Sequence, residues 1–323
     1  MEGYGASMKA AKTGNRNPKS FGERFSQELK RNWGLYLLVS MPLAYLIIFK
    51  YIPMYGIQIA FRDYKVGQGF TSGQWVGLKH FQKFLNFYNF DRLMLNTLSI
   101  SLYSLATFPL PIILALLLHY VKNQHFKKTV QMITYAPHFI STVVMVGMIL
   151  QFLDAKNGII NILINLLGGK GQNWMAKPAY FRHIYIWSGV WQGIGYGSIM
   201  YISALSSVSL ELHEAAIIDG ANIPQRIWHV DLPGILPTVS IMLILRCGSI
   251  LSVGYEKIYL MQNSLNLPVS EVISTYVYKE GFTSGIPRYS YSAAVSLFIS
   301  VINVTILLIV NKLADKFSNS SLF

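Results

Sequence analysis

Residues 211–237 read ELHEAAIIDGANIPQRIWHVDLPGILP. The first third is rich in Leu, Glu and Ala, which lose little rotamer freedom in a helix. Gly220 follows, where a left-handed backbone angle carries no steric penalty. Pro224 suits the first turn of a new helix. Pro233 ends it, because proline has no N–H and its ring crowds the preceding turn. The stretch therefore predicts a short helix, a glycine elbow and a second short helix that stops before Pro233. Ala215 and Ala216 are small enough to let a helix seat closely in a groove, and Glu214 offers a carboxylate to a basic residue. Arg226 is the one basic side chain, against Glu211, Glu214, Asp219 and Asp231. The segment is thus unlike a basic helix that lies on anionic lipid.

On both sides of this elbow the chain is apolar. A membrane-crossing helix needs about 20 mostly apolar residues, at 1.5 Å each, to cover about 30 Å of hydrocarbon. Six stretches satisfy that: 33–51, 93–120, 130–153, 183–208, 235–255 and 291–311. A seventh apolar run, 159–167, is too short and reads as an interfacial or cavity-capping helix. Composition agrees. Of 323 residues, 52% are hydrophobic and 13% charged, with a mean hydropathy of +0.38. So few charges do not cover the surface of a soluble body of this length. Aromatic residues at 14% exclude a disordered chain. The single Cys247 excludes a disulfide scaffold and reads as a small packing residue.

The expected fold class is all-α: a polytopic membrane protein of about six helices, residues 33–323, preceded by a basic tail, residues 1–32. The tail holds Lys9, Lys12, Arg16, Lys19, Arg24, Lys30 and Arg31. It is too long, and lacks the small-residue ending, to be a cleaved signal peptide. Together with the compact Lys122, Lys127 and Lys128 loop, it favours an N-terminus on the cytoplasmic side. Lys and Arg divide evenly between the two sides, so the overall count does not fix orientation. The net charge of +13 is explained by basic flanks at lipid headgroups. No nucleic-acid signature accompanies it. The expected outer segments, near 52–92, 154–182 and 256–290, together with Lys50 at the end of the first span, carry a net +7, with Asp63, Asp91, Asp154, Glu256, Glu271 and Glu280 as their acids. Ordinary headgroup contact accounts for this, and so does a basic vestibule suited to acidic solutes.

Several chemistries lack their residues. There is no phosphate-binding G-x-x-x-x-G-K-[ST] loop, since 168–171 reads GGKG. His213-Glu214 begins like a zinc-protease H-E-x-x-H, but Ile217 stands where the second histidine belongs. No G-x-S-x-G elbow occurs. Gly193, Gly195 and Gly197 lie within an expected span, where small residues allow helices to approach. No metal ligand set and no catalytic residue is expected.

The spacing E-A-A, three residues, Gly220, nine residues, then Val230-Asp231-Leu232-Pro233 resembles the cytoplasmic signature of binding-protein-dependent ABC importer permeases. Val230 in place of Ile is the one departure. Further stretches look like the oligosaccharide branch of that family: FKYIPMYG at 49–56, WVGLKHF at 75–81, PHFIS at 137–141 and the terminal SLF at 321–323. They are similar to lipo-oligosaccharide and uronate-oligosaccharide permeases, including membrane subunits of the alginate importer. The resemblance implies a type I ABC importer permease fold in a bacterial cytoplasmic membrane. It implies a coupling loop at 209–234 that docks on an ATPase through Glu214, Ala215, Ala216, Asp219, Gly220, Leu232 and Pro233. It also implies a second permease of a different chain, two ATP-binding subunits that hold ATP and Mg, an extracytoplasmic solute-binding protein and an oligosaccharide cargo. This chain itself is expected to hold no cofactor and to be no enzyme.

Candidate pathway residues follow from physical grounds. A charge within a span is costly and usually faces a bundle interior or water, which singles out Arg246, expected midway along the fifth span. It suits either an anionic sugar or polar groups of a companion subunit. Trp187 and Trp191 share a helix face at i, i+4; with Gln192 and Tyr196 they suit stacking on sugar rings, although helix packing is the commoner use. Asn96 and Asn303 suit hydrogen bonds between helices. A permease for neutral sugars or peptides is an alternative. An integral-membrane glycosyl or acyl transferase is disfavoured, because no carboxylates converge at one depth.

Overall fold

The computed structural model describes residues 28–65 and 73–318, together with Gly22, Gly67 and Gly69. The Lys and Arg residues of the tail up to Arg24, and the terminal SLF, lie outside them. The chain divides into two compact units, Met1–Ile57 and Gln58–Phe323.

The first unit carries α1 (Trp33–Leu46), which continues through a widened π turn at Ile47–Tyr51 into Ile52–Met54. Pro53 stands just after that turn. A proline ring collides with the carbonyl four residues back. Shifting the bond one residue further, so that the Ile52 N–H donates to the Ile47 carbonyl, relieves the crowding. Helical backbone runs on to Phe61.

In the second unit a short hairpin pairs β1 (Arg62–Asp63) with β2 (Gln74–Trp75), in antiparallel register. Then come α2 (Lys79–Leu85) and α3 (Phe90–Ala106). The two-residue break before α4 (Pro109–Tyr120) leaves Phe90–Tyr120 one 31-residue apolar run. The next segment departs from expectation. Residues 130–153 do not form one straight span: α5 (Gln124–Tyr135) and α6 (Thr142–Phe152) meet at 101°. The cause is local. Pro137 withdraws a donor inside a short 3-10 turn, Ile140 is extended, and Ser141 caps α6 by accepting from the Val144 N–H.

The short run at 159–167 forms α7 (Ile159–Leu166) as expected. Its buried Asn161 ties the surrounding loop through bonds to Asp154, Gln172 and the Trp174 indole. After it runs α8 (Pro178–Ser206), 29 residues or about 43 Å, long enough to cross a bilayer. It is less uniformly apolar than the others, because Arg182, His183, Gln192 and four glycines belong to it. It packs most extensively against α4.

The quoted elbow comprises α9 (Leu210–Ile218) and α10 (Ile223–Arg226). A second π turn, Ile227–Asp231, leads directly into α11 (Leu232–Cys247). The expectation that the second short helix stops before Pro233 is therefore wrong. The π turn shifts the hydrogen bonding, with the Leu232 N–H on the Ile227 carbonyl, and the helix passes through the proline as it does at Pro53. Helix runs from Ile223 to Cys247. The fifth span thus begins earlier than residue 235 and ends before 255.

Short helices α12 (Tyr255–Met261), α13 (Leu267–Ser270) and α14 (Ile273–Tyr278) precede the last long helix, α15 (Tyr289–Ser318). Among the described residues four helical runs are long and apolar enough to cross a membrane, and the bent pair α5–α6 makes a fifth. With α8 counted by length, each of the six expected segments contains a long helix or, at 130–153, the bent pair, the fifth ending at Cys247.

Three apolar clusters hold the second unit. Phe84, Leu93, Ile273 and Val295 join α2, α3, α14 and α15. Ile100, Phe181, Ile186 and Ile258 join α3, α8 and α12. Ile112, Ala115, Leu205 and Ile235 join α4, α8 and α11. Burying side chains of this size contributes about 1.5–3 kcal/mol each. Buried polar groups serve the same packing. Asn96 donates to the Pro268 and Glu271 carbonyls and accepts from Arg182. Asn303 accepts from the Leu251 N–H and donates to Ser252, fixing the loop after α11.

Candidate functional site

The elbow at Gly220 is built as its sequence predicts. The Ala221 N–H donates to the Ala216 carbonyl at 2.8 Å and the Gly220 N–H to the Ile217 carbonyl at 3.0 Å. That pair of bonds is a Schellman ending, and it requires the φ of +77° at Gly220. Asn222 then opens α10 with a reciprocal box: its side chain accepts from the Gln225 N–H, and the Gln225 side chain accepts from the Asn222 N–H. Ser209 caps α9 by accepting from the Glu211 N–H.

The outward side of the elbow is open. Glu214, Ala215, Asp219 and Gly220 are exposed, Ala216 and Leu232 half-buried, and Pro233 exposed. Large apolar side chains stand exposed beside them, among them Leu212, Ile217, Ile218 and Trp228. Ile218 is 85% exposed. Glu214 makes no ion pair with any described residue. The inward side is anchored. His213 reaches Asp231, 3.3 Å away, and a Cβ at Gly234 would collide with Val208. Along α9 the sequence argument about His213 holds, since Ile217 is one turn on. The structure instead brings two further ligand types to it from other segments: His119 of α4 and Asp231 of the π turn.

A cavity of about 450 Å³ lies between α3, α4, α8, α11 and α12. Two cations line it, Arg246 and Lys257, with Ser104, Gln192 and Tyr185 as polar neighbours. Arg246 is not midway along its helix as expected: it sits in the last turn of α11, one residue before Cys247, because the helix ends early. That position suits a cation, which is favoured near a helix C-terminus. Its guanidinium donates to the Ser104 hydroxyl. Lys257 donates to the Tyr185 carbonyl at 2.9 Å, with its ammonium 4.7 Å from the Tyr185 ring centre. Burial pushes the Lys257 ammonium down to about 8. Neither cation pairs with a carboxylate among the described residues.

The expected aromatic residues fall elsewhere. Trp187 and Trp191 share a face and are about half exposed, but neither lines the cavity. Trp187 donates instead to the Tyr103 hydroxyl. Tyr196 stacks on His138 at 3.8 Å, nearly parallel. Gln192 lines the cavity and also donates to the Ile140 carbonyl. So Gln192 and Tyr196 brace the bend between α5 and α6, which exposes that carbonyl.

Lys257 escaped the sequence reading, as one basic residue among many outside the spans. A stripe of Gly189, Gly193 and Gly197 at i, i+4, i+8 marks the cavity face of α8 and is the signal that points to it. At Gly193 a Cβ would meet nothing within 4 Å, so its absence widens the cavity. Gly195, on another face, does what the sequence argument assigns to the run: a Cβ there would lie 2.1 Å from the Thr134 carbonyl oxygen, so α8 and α5 touch backbone to backbone.

Outside the long helices three described acids are ion-paired. Glu271 accepts from Arg92 and Lys279, Glu280 from Arg288, and Asp63 from Lys79. The Lys79 ammonium holds the Asp63 carboxyl below its ordinary value.

Comparison with known proteins gives this architecture its place. Residues 107–319 match the family described as binding-protein-dependent transport system inner membrane component. Protein LplB of Bacillus subtilis (strain 168) is 43% identical over 296 residues, 91% of this chain and 92% of that one. The polygalacturonan/rhamnogalacturonan transport system permease protein YteP of the same organism is 39% identical over 290 residues, 90% of each chain. A chain of a crystal structure of a bacterial ABC transporter involved in the import of the acidic polysaccharide alginate superposes with a TM-score of 0.83 at 35% identity, over 91% of this chain and 99% of that one. A second structure of a bacterial alginate transporter, in complex with an alginate pentasaccharide-bound periplasmic protein, gives the same TM-score over 93% of this chain. Matched over most of its length in sequence and in fold, the chain belongs to the binding-protein-dependent transport system inner membrane components, as a multi-pass permease subunit of an ABC importer.

Proposed function

We propose that this chain forms half of the membrane channel of an ATP-driven importer for acidic oligosaccharides. The observation that carries the reading is the cavity with two cations, Arg246 and Lys257, neither of which has a carboxylate set against it among the described residues. Lys257 is part-buried, and a cation taken out of water without a counter-ion is unfavourable. A carboxylate-bearing sugar relieves that cost on entering, whereas a neutral sugar does not. Two relatives support the choice, since one carries polygalacturonan in its name and another takes part in import of an acidic polysaccharide.

In this reading the N-terminal tail is cytoplasmic, and a solute-binding protein on the opposite side delivers the sugar. A second permease, a different chain, completes the wall of the cavity. Two copies of an ATP-binding subunit hold ATP and Mg and grip the elbows. The coupling loop, residues 209–234, meets its ATPase through exposed Glu214, Ala215, Asp219, Gly220 and Pro233, with Ala216 and Leu232 seated beneath. The exposed apolar group of Leu212, Ile217, Ile218 and Trp228 supports a protein partner at this face. Coupling is a difference in contact free energy between two states, so the ATPase holds the elbow differently when open and when closed.

The test is ATPase stimulation in the assembled transporter, reconstituted with its binding protein and challenged with uronate and neutral oligosaccharides of matched length. Stimulation by uronate chains alone is expected. Equal stimulation by neutral chains overturns the acidic cargo and leaves a neutral-sugar importer.

A further inference from the structure

At the end of α4, on the inward face of α9 and in the π turn before α11, His119, His213 and Asp231 offer ligand atoms that all lie within 4.8 Å of one another. The cluster lies outside the cavity lining, and the transport reading makes no use of it. Asp231 is fully buried, and its Oδ1 has no hydrogen-bond donor. The His213 Nε2, on a side chain only 12% exposed, likewise makes no aligned hydrogen bond. These two atoms face each other at 3.3 Å, close enough for an ion pair but without hydrogen-bond alignment. Two buried polar atoms with unmet bonding capacity, aimed into one space, carry a cost that a shared partner removes.

We propose that this trio is a binding site for a zinc-class divalent cation, with water in the fourth position. The spacing fits the chemistry. Zinc bonds of about 2.0–2.2 Å to imidazole nitrogen and carboxylate oxygen, set tetrahedrally, place neighbouring ligand atoms about 3.3–3.4 Å apart. The pair His213 and Asp231 already stands at that separation. His119, half-buried at the terminus of α4, closes the remaining distance by turning its ring. Two imidazoles with one carboxylate select zinc and its transition-metal neighbours over magnesium or calcium, which prefer oxygen. The outer partner is also in place. The Tyr120 hydroxyl donates to Asp231 Oδ2 at 2.6 Å, which turns Oδ1 toward the histidines. A bound ion would brace α9 against α4 and the base of α11.

The experiment is a metal titration of the whole assembled transporter, purified through a tag free of histidine and stripped with a chelator. Zinc chloride is the probe and equilibrium dialysis with elemental analysis the readout. The wild type is expected to retain one zinc per copy of this chain more than each of His119→Gln, His213→Gln and Asp231→Asn. Wild-type zinc retained in any of the three assembled variants overturns the site. If Asp231→Asn does not assemble, cobalt replaces zinc in the wild type. The intense visible bands of tetrahedral cobalt, absent from His213→Gln, support the site. Their absence from the wild type overturns it. The measurement is independent of cargo, so it stands or falls apart from the transport reading.

Discussion

Gly220 lends itself to a graded test, because its role and its surroundings separate cleanly. A Cβ built there meets nothing within 4 Å, so no substitution is resisted by packing. What remains is the backbone angle, φ +77°, held by the two bonds that close α9. An L-residue in that region costs about 1–2 kcal/mol, with Asn at the low end, Ala in the middle and a β-branched side chain at the top. The expected order of coupled transport is therefore Gly, Asn, Ala, Val. At about 1.4 kcal/mol per factor of ten, Asn reduces the closed-elbow population about fivefold, Ala about tenfold and Val about thirtyfold. Those full factors apply where the turn is itself marginal. That holds here, since the elbow is exposed and its hydrogen bonds face solvent. The assay pairs uptake with ATP hydrolysis in proteoliposomes. Val is expected to depress uptake far more than hydrolysis, with membrane insertion unchanged. Equal transport by Gly220→Val and wild type refutes the elbow as the joint to the motor. So does Asn behaving worse than Val, because the strain argument fixes their order.

Three other outcomes follow from the cavity and the helix contacts. Arg246→Ala removes a charge-assisted contact worth about 1.5 kcal/mol at a solvent-accessible site, so uptake of charged oligosaccharides should fall about tenfold while neutral ones are spared; equal loss for both removes the substrate role. Lys257, pushed down to about 8, is cationic below that pH and neutral above it, so uptake of acidic chains should decline as pH rises through about 8. Lys257→Arg, which stays charged, should flatten that decline in a pH–rate profile, and an unchanged profile contradicts the assignment. Gly195→Ala should destabilise the protein by about 1–3 kcal/mol through its clash with Thr134, whereas Gly193→Ala, facing open space, should be neutral or stabilising by up to about 1 kcal/mol. Thermal unfolding of the two variants side by side decides it.

The elbow was legible because its signals are local. A left-handed glycine and a proline in the first turn act over three or four residues, and each found its expected use; the Asn222 cap is a signal of the same local kind that the reading passed over. The bend at Ile140 carried local signals too, in Pro137 and Ser141, but an apolar run across them reads as one span when only hydropathy is followed. The π turns before Pro53 and Pro233 were not legible. Whether a proline ends a helix or is absorbed depends on whether the preceding turn widens, and nothing in IIFKY or IWHVD announces that. The cavity was half legible. Periodicity put Trp187 and Trp191 on one face, yet periodicity alone does not say which face of α8 looks inward. The glycines at 189, 193 and 197 mark it better, because a wide cavity needs missing side chains as much as particular ones. Arg246 was identified for its charge and misplaced in depth, since α11 ends at Cys247. The His119, His213 and Asp231 cluster is assembled from three segments and has no trace in local spacing.

The absorbed proline changes how the proposed coupling works. Had the helix stopped before Pro233, the loop would be hinged to the fifth span, and a push on the elbow would dissipate in the hinge. Instead Ile223–Cys247 is one helical run of 25 residues, about 37 Å long. Asn222 caps one end, where the elbow begins, and Arg246 sits in the last turn at the other, on the wall of the cavity. A rigid rod of that length amplifies angle: a tilt of about 10° at the elbow carries the far end about 6 Å. Such a shift is larger than a hydrogen bond is long, so it suffices to take the Arg246 guanidinium off Ser104 and away from a bound carboxylate. The widened turn at Ile227–Asp231 is the one irregular joint in the rod before Pro237, and Asp231 within it is fully buried. Tyr120 and His213 hold that joint from two sides. The residues that stiffen it therefore set how much of an elbow movement reaches the cavity, and loosening them should lower uptake per ATP without altering cargo preference.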